Sequence, residues 1–379
     1  MNHFRCIDGL RAWLAWIVVF AHIALYTAAD IRIPLLQHTL GVAAHQAVSV
    51  FIIISGFVIS NLLLERKESY VPYITRRFLR IYPLYLVCLC AGIYATHLHL
   101  IAFAGHPWGQ YVPQPELIAA ETQSLAGNGF YWNLAAHLSL LHGAIPSGIL
   151  GVSEYTFLAP AWSLSLEWQF YLVAPLILLA LANRLGRIVV SLAALAGYLA
   201  FRLNWFGEFF DPSFLPGAAL QFAAGIATRL VFSKLPKLTR YPVAGAIVAF
   251  GFVFISRDLL PFIFWIAFVA WMRTERAADS RGVGVERCFD LAFNSRAAIY
   301  LGKRSYSTYL IHGPIIYAIG YVCIVRFALG MWQTILCTSI AAPLLTLLAS
   351  LLLFRYVEAP AIAFGKGLFT SGRLAVLPA

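Results

Sequence analysis

Apolar residues in this chain run in stretches of roughly twenty, broken by short clusters of arginine and lysine, and stretches of that length cross a hydrocarbon core as helices. Set against charge, the pattern predicts ten spans, at about 10–29, 42–64, 81–103, 161–182, 187–206, 214–232, 242–257, 259–272, 305–327 and 332–356. The seventh and eighth are short and are separated only by Arg257 and Asp258. A cytoplasmic N-terminus keeps inside the clusters Arg66/Lys67/Arg76/Arg77/Arg80, Arg184/Arg187, Lys234/Lys237/Arg240, the 273–304 segment, and Lys366 with Arg373. Only Arg32, Arg202, Arg257 and Arg326 then fall outside. The positive-inside rule therefore predicts an all-α polytopic membrane protein of about ten transmembrane helices with both termini cytoplasmic.

The segment from about 104 to 160 carries no Lys or Arg, but holds Trp108, Trp132, His106, His137 and His142. Its apolar middle, 134–141, is too short to span. It is either a re-entrant piece shielded by protein or a plain extracellular loop. No repeat or low-complexity tract breaks the pattern. One transmembrane unit is expected over 1–360, then a short cytoplasmic tail, 361–379, with no appended soluble domain.

Composition sharpens this picture. Of 379 residues, 61% are hydrophobic and only 11% charged, against about 25% charged in soluble domains. The net charge of +11 sits in clusters between spans, so it marks topology and gives no nucleic-acid face. Six cysteines lie in apolar stretches or near clustered arginines, with none in the arginine-free segment. They form no disulfide framework, and the Cys88-x-Cys90 spacing lacks a second ligand pair, so no metal is expected.

Ionisable residues inside spans are costly in lipid and therefore informative. At 100° per residue, Asp8, Arg11 and His22 fall within about 60° on one face of the first span, with His22 roughly 16 Å beyond Arg11, near the midplane. The plainer alternative is a neutral histidine bonded to a neighbouring helix. Ahead of the third span, Arg77 and Arg80 share one helix face and Arg76 and Arg80 another, a spacing that suits phosphate oxygens, although an ordinary topology cluster looks the same. Ser163 and Glu167 stand one turn apart in the fourth span and can face one cavity; a structural ion pair of Glu167 with an arginine is the alternative. In the ninth span Ser305, Tyr309 and His312 project the same way, as cavity lining or as polar glue between helices.

Taken in order, Asp8-Gly9-Leu10-Arg11 with His22, Ser55-Gly56-Phe57, Arg76-Arg77-Phe78-Leu79-Arg80-Ile81-Tyr82-Pro83, Trp162-Ser163-Leu164-Ser165-Leu166-Glu167 with Phe170-Tyr171, Ser305-Tyr306-Ser307-Thr308-Tyr309-Leu310-Ile311-His312 and Glu358-Ala359-Pro360 resemble the membrane acyltransferase 3 family. The resemblance runs from residue 6 to about 360. It implies an integral multi-pass O-acyltransferase, in a bacterial inner membrane, that moves an acyl group, usually acetyl from acetyl-CoA, onto a hydroxyl of a cell-surface or exported carbohydrate or glycolipid. It implies a catalytic role for His22 and a need for Arg11, Arg77 and Arg80. Ala47-Val48-Ser49-Val50-Phe51 departs from the family's Gly-Val-Asp-Leu-Phe, so an acid is missing at Ser49.

Acyl transfer from a thioester to an alcohol needs a base, a place for a developing oxyanion and a grip on the carrier. His22 is the candidate base, or an acylated relay, with Arg11, Asp8 and Glu167 beside it in the catalytic group. Arg76, Arg77 and Arg80, with Lys303 and Arg304, are the candidates for the phosphates of acyl-CoA, a donor substrate and not a resident cofactor. Ser55, Ser163, Ser305, Tyr309 and His312 are the expected cavity lining. The rival class is a transporter or flippase of a glycan intermediate, which also uses midplane charges but predicts two similar halves. The Asp-Gly-Leu-Arg and Arg-Arg-Phe-Leu-Arg runs occur once each.

Overall fold

The computed structural model describes residues 4–29, 33–66, 68–235, 257–273 and 285–369. Among these residues the chain is helical and has no strand. Helix is the form in which a lone apolar segment satisfies its own backbone in lipid. Among the described residues eight helices are long and apolar enough to cross a membrane, and the chain is a multi-pass integral membrane protein. They are built on α1 (Arg5–Tyr26), α2 (Val42–Glu65), α3 (Tyr70–Ala104), α6 (Trp162–Ala180), α7 (Arg184–Arg202), α8 (Ala219–Val231), α12 (Ser305–Tyr321) and α13 (Met331–Leu353). Between α3 and α6 lie α4 (Pro115–Ser124) and α5 (Gly129–Leu138). Helices α9 (Leu260–Met272), α10 (Val285–Asn294) and α11 (Arg296–Gly302) precede α12, and α14 (Ala359–Gly367) follows α13.

The expected seventh span lies outside the described residues. The eighth is α9, whose 13 residues rise only about 20 Å; within the described residues it is a shorter apolar helix, outside the set of eight. The third is longer than its apolar run: α3 has 35 residues and runs through the basic turn, with Pro72 in its first turn, where a missing N–H costs little, and Pro83 inside it.

Helix α1 lies at the centre, packed on α2, α10, α11 and α12. Two of its contacts are backbone on backbone. A Cβ at Gly302 would stand 1.7 Å from the Asp8 carbonyl oxygen, and one at Gly9 would stand 2.0 Å from the Phe293 oxygen. Only glycine admits such crossings. The largest buried side chains, among them Phe57, Tyr73, Tyr85, Phe170, Trp265 and Phe268, fill the space between α2, α3, α6 and α9. By contrast α7 buries only Ala200 and exposes Leu185, Leu192, Leu195 and Leu199. A helix that turns its leucines outward is a lipid-facing helix.

The segment between α3 and α6 folds back along α3, the packing that the re-entrant alternative expects. Tyr82 Oη donates to the Leu138 carbonyl at 2.8 Å, and Tyr85 Oη lies 2.9 Å from His137 Nδ1. Tyr82 is about 33 Å along α3 from Ala104 at 1.5 Å per residue, so the tip of α5 reaches deep beside that helix. The backbone there is shielded: Ser165 Oγ donates to the Leu140 carbonyl at 2.8 Å, and the Gly143 N–H donates to Ser165 Oγ at 3.1 Å. Irregular backbone at such depth requires protein partners of this kind.

Candidate active site

Cavities run along one face of α1. Towards the arginine-rich end, Arg11 lines a cavity of about 60 Å³ together with Ser55, Ser163, Glu167, Ser305 and Tyr309. Further along, His22 lines a cavity of about 250 Å³ with His45, Trp162, Asp211 and Tyr309. His22, Trp162 and Asp211 also line a third space, of about 520 Å³, whose remaining wall includes Gln114, Glu116 and Tyr155. Tyr309 therefore borders the first and second cavities, and His22 borders the second and third.

The imidazole of His22 is held by α12. Its Nδ1 lies 2.7 Å from His312 Nε2, and His312 Nδ1 lies 3.3 Å from the Thr308 carbonyl. A carbonyl oxygen only accepts, so His312 Nδ1 carries the proton and donates to it. In the neutral pair His312 Nε2 then accepts from His22 Nδ1–H. That assignment leaves the Nε2 lone pair of His22 unspent, on a residue that borders two cavities. His312 itself is fully buried and stands behind His22, lining neither cavity.

The smaller cavity is lined by hydroxyls and one carboxylate. Glu167 Oε1 accepts from Ser55 Oγ at 2.8 Å and from Tyr171 Oη. Ser163 Oγ donates to the Pro160 carbonyl at 3.3 Å, so the 2.9 Å contact with Tyr309 is a donation from the tyrosine. One-turn spacing thus puts Ser163 and Glu167 on the same cavity, beside Ser305 and Tyr309 from α12. Asp8 does not line any of the three cavities; its backbone forms the crossing with Gly302. The periodicity that aligned it with Arg11 left out the end of the helix, where α11 closes the face.

The basic cluster divides by direction. Arg76 forms an ion pair with Glu68, a carboxylate eight residues earlier that helical spacing does not reveal. Arg77 lies 5.9 Å over the ring of Tyr171, the same residue that donates to Glu167. Arg80 is half-buried, with Glu358 and Glu167 as its acidic neighbours, and Glu358 accepts from Ser307 Oγ at 2.6 Å. Lys303 is exposed. Arg304 sits 3.5 Å over the Tyr300 ring and donates to the Tyr300 carbonyl at 2.7 Å. Neither Lys303 nor Arg304 lines the three cavities.

Several site residues carry no mark in the sequence. Asp211, in the loop between α7 and α8, borders both larger cavities with His22; its Oδ2 accepts from Tyr155 Oη at 2.5 Å, and its Oδ1 lies 3.9 Å from His45 Nδ1. Burial pushes the Asp211 carboxyl above the ordinary carboxylate range, opposed by the Tyr155 hydrogen bond and by His45. The one available signal was an acid between two aromatic residues and a proline in Phe209-Phe210-Asp211-Pro212, a weak one.

Comparison with known proteins agrees with this architecture. An acyltransferase-domain family model, acyltransferase 3, matches residues 4–355. The acyltransferase MdmB of Streptomyces mycarofaciens is 33% identical over 175 residues, covering 45% of this chain and 38% of that protein. The peptidoglycan O-acetyltransferase OatA of Listeria monocytogenes serovar 1/2a (strain ATCC BAA-679 / EGD-e) is 25% identical over 387 aligned positions, covering 93% of this chain and 55% of that protein. The chain thus spans about half or less of the length of these relatives. No solved structure matches it. With ordered motifs along its length, a bundle of membrane-crossing helices and a family model over nearly all of it, the chain belongs to the acyltransferase 3 family.

Proposed function

We propose that the protein is a membrane O-acyltransferase that moves an acyl group, most readily acetyl, from cytoplasmic acyl-CoA to a hydroxyl of a cell-surface or exported polysaccharide or glycolipid, in a bacterial inner membrane. The observation that carries this is the position of His22, whose ring is oriented by His312 and which lines the two wider cavities, one of which shares Tyr309 with the smaller cavity beside Arg11.

In this scheme the acceptor hydroxyl enters from the side of the 104–160 segment. Nε2 of His22 takes its proton as the oxygen bonds to the thioester carbonyl carbon. Collapse breaks the C–S bond, and the imidazolium returns the proton to the departing thiolate. The products are an ester and free CoA, with no net proton. Arg11 lies roughly 16 Å from His22 along α1, too far for one carbonyl to touch both. It is assigned to the path of the donor arm, with Glu167 and the hydroxyls around it, while Arg77 and Arg80 meet donor phosphates. Arg76, held by Glu68, contributes less.

The test is release of CoA from acetyl-CoA, with acetyl appearing on extracted surface glycan, by protein purified into nanodiscs. His22→Ala is expected to abolish transfer while eluting as a monodisperse species. Wild-type transfer by that variant would overturn the assignment.

A further inference from the structure

The largest space beside His22 has the build of a ligand site. At about 520 Å³ it falls within the range of roughly 300–1,000 Å³ typical of such sites. It adjoins the second cavity, with His22, Trp162 and Asp211 on the wall of both.

Three features of its wall define what fits. First, the Asp211 carboxylate has acceptor capacity to spare. Tyr155 occupies Oδ2, whereas Oδ1 is 3.9 Å from His45, beyond hydrogen-bond distance, and a carboxylate offers about four lone-pair sites. Second, Trp162 and Phe210 supply aromatic surface beside it, a suitable platform for the C–H face of a sugar ring. Third, Asp211 and Glu116 are the charged side chains on this wall, and among the described residues no Lys or Arg lines either cavity. An anionic ligand would meet two acids and no fixed cation.

We propose that Asp211 holds the acceptor, accepting a hydrogen bond from a sugar hydroxyl next to the one presented to His22, with Trp162 against the ring, and that this vestibule selects uncharged or amine-bearing glycans over those carrying carboxylate or phosphate. This assignment rests on the acyl-transfer proposal for the role of His22, but it concerns binding and is read separately. Asp211→Asn is a conservative probe: the amide oxygen keeps the Tyr155 partner, and an N–H group replaces the free acceptor.

The experiment is saturation-transfer NMR of methyl β-glucoside and methyl β-glucuronide, two probes that differ in the charge at C6, with wild type and Asp211→Asn in nanodiscs. The glucoside is expected to contact wild type and the glucuronide to bind at least tenfold more weakly. Asp211→Asn is expected to weaken the glucoside by roughly tenfold or more, as loss of a charge-assisted hydrogen bond does, and to narrow the gap between the two sugars. The proposal is overturned if the glucuronide binds wild type as well as the glucoside does. It is also overturned if Asp211→Asn keeps wild-type glucoside affinity, or if wild type makes no contact with the glucoside. The glucoside–glucuronide comparison needs no variant, so a misfolded Asp211→Asn leaves it decisive. CoA release is measured in the same preparations: sugar binding that depends on Asp211 without any acetyl transfer strikes at the enzymatic proposal, whereas transfer with sugar binding indifferent to Asp211 strikes at this one.

Discussion

His22 Nδ1 is 2.7 Å from His312 Nε2, and the second ring is fixed in turn by the Thr308 carbonyl. The tautomer of a residue on α1 is thereby set by a residue on α12. In the proposed mechanism His312 is a positioning residue, so His312→Ala is expected to lower kcat by about a hundredfold, less than His22→Ala, with an altered pH profile. His312→Gln, whose carbonyl can still accept from His22 Nδ1–H, is expected to recover part of the rate. Equal loss in both His312 variants with an unchanged pH profile would reduce the contact to packing.

Arg77→Ala and Arg80→Ala are expected to weaken binding of a non-reactive thioether analogue of acetyl-CoA by roughly tenfold to a hundredfold each. Arg76→Ala is expected to change it little, since Glu68 already engages that guanidinium. Lysine at 77 or 80 restores only part, because it keeps the charge and loses the planar fork. Calorimetry on the purified protein separates the three positions; a uniform response would mean that the cluster acts only as a topology element.

Gly302→Ala places a methyl 1.7 Å from the Asp8 carbonyl oxygen, an overlap that side-chain rotation cannot relieve because the obstacle is backbone. Forced repacking costs on the order of 1–3 kcal/mol or more. The variant is expected to lose its monodisperse peak in size-exclusion chromatography. Gly320→Ala, with open space around it, serves as the tolerated control.

Stability should fall with rising pH through Glu121. Burial pushes its carboxyl up from the usual 4.5 to about 7, only partly offset by the Phe157 N–H donated to it at 3.3 Å. Between those values the folded protein holds a proton that the unfolded chain has released. Its contribution is therefore complete below about 4.5 and lost as pH rises through about 7. The loss is on the order of 3 kcal/mol, before relaxation of the surroundings reduces it. Glu121→Gln is expected to flatten the decline of the thermal midpoint between pH 5 and 8; parallel curves for variant and wild type would refute this.

Orientation is testable at two exposed positions. Gln123 on α4 and Lys303 after α11 are both exposed, and a cytoplasmic N-terminus puts them on opposite sides. In a background without native cysteines, an impermeant maleimide is expected to label Gln123→Cys in intact cells and Lys303→Cys only after permeabilisation. The opposite pattern would reverse the donor and acceptor sides.

What could be read from the chain alone followed from the cost of placing charge in lipid. His22, Arg11 and Glu167 stand out because apolar neighbours surround them, and helical spacing was enough to put Ser163 with Glu167 and Ser305 with Tyr309. Asp211 was illegible for the converse reason: in a short connection between spans an acid is unremarkable, and its importance comes from the fold bringing it beside Tyr155 and His45. The same limit applies to Arg76, whose partner Glu68 lies before the start of its helix, and to the depth of α5, where ten residues give too short an apolar run to mark membrane entry. Asp8 shows the opposite error, since periodicity gives direction around a helix but not what covers its end.

The hydrogen bond from Tyr309 to Ser163 lies on the wall of a cavity of about 60 Å³, room for only a few water molecules, and Tyr309 also borders the wider space around His22. A cell membrane must stay tight to ions while an activated carbon unit crosses it. Under the proposed acyl transfer, a space this small would admit a slender thioester arm and leave no room for hydrated ions, so that group transfer across the bilayer need not cost the cell its electrochemical gradient.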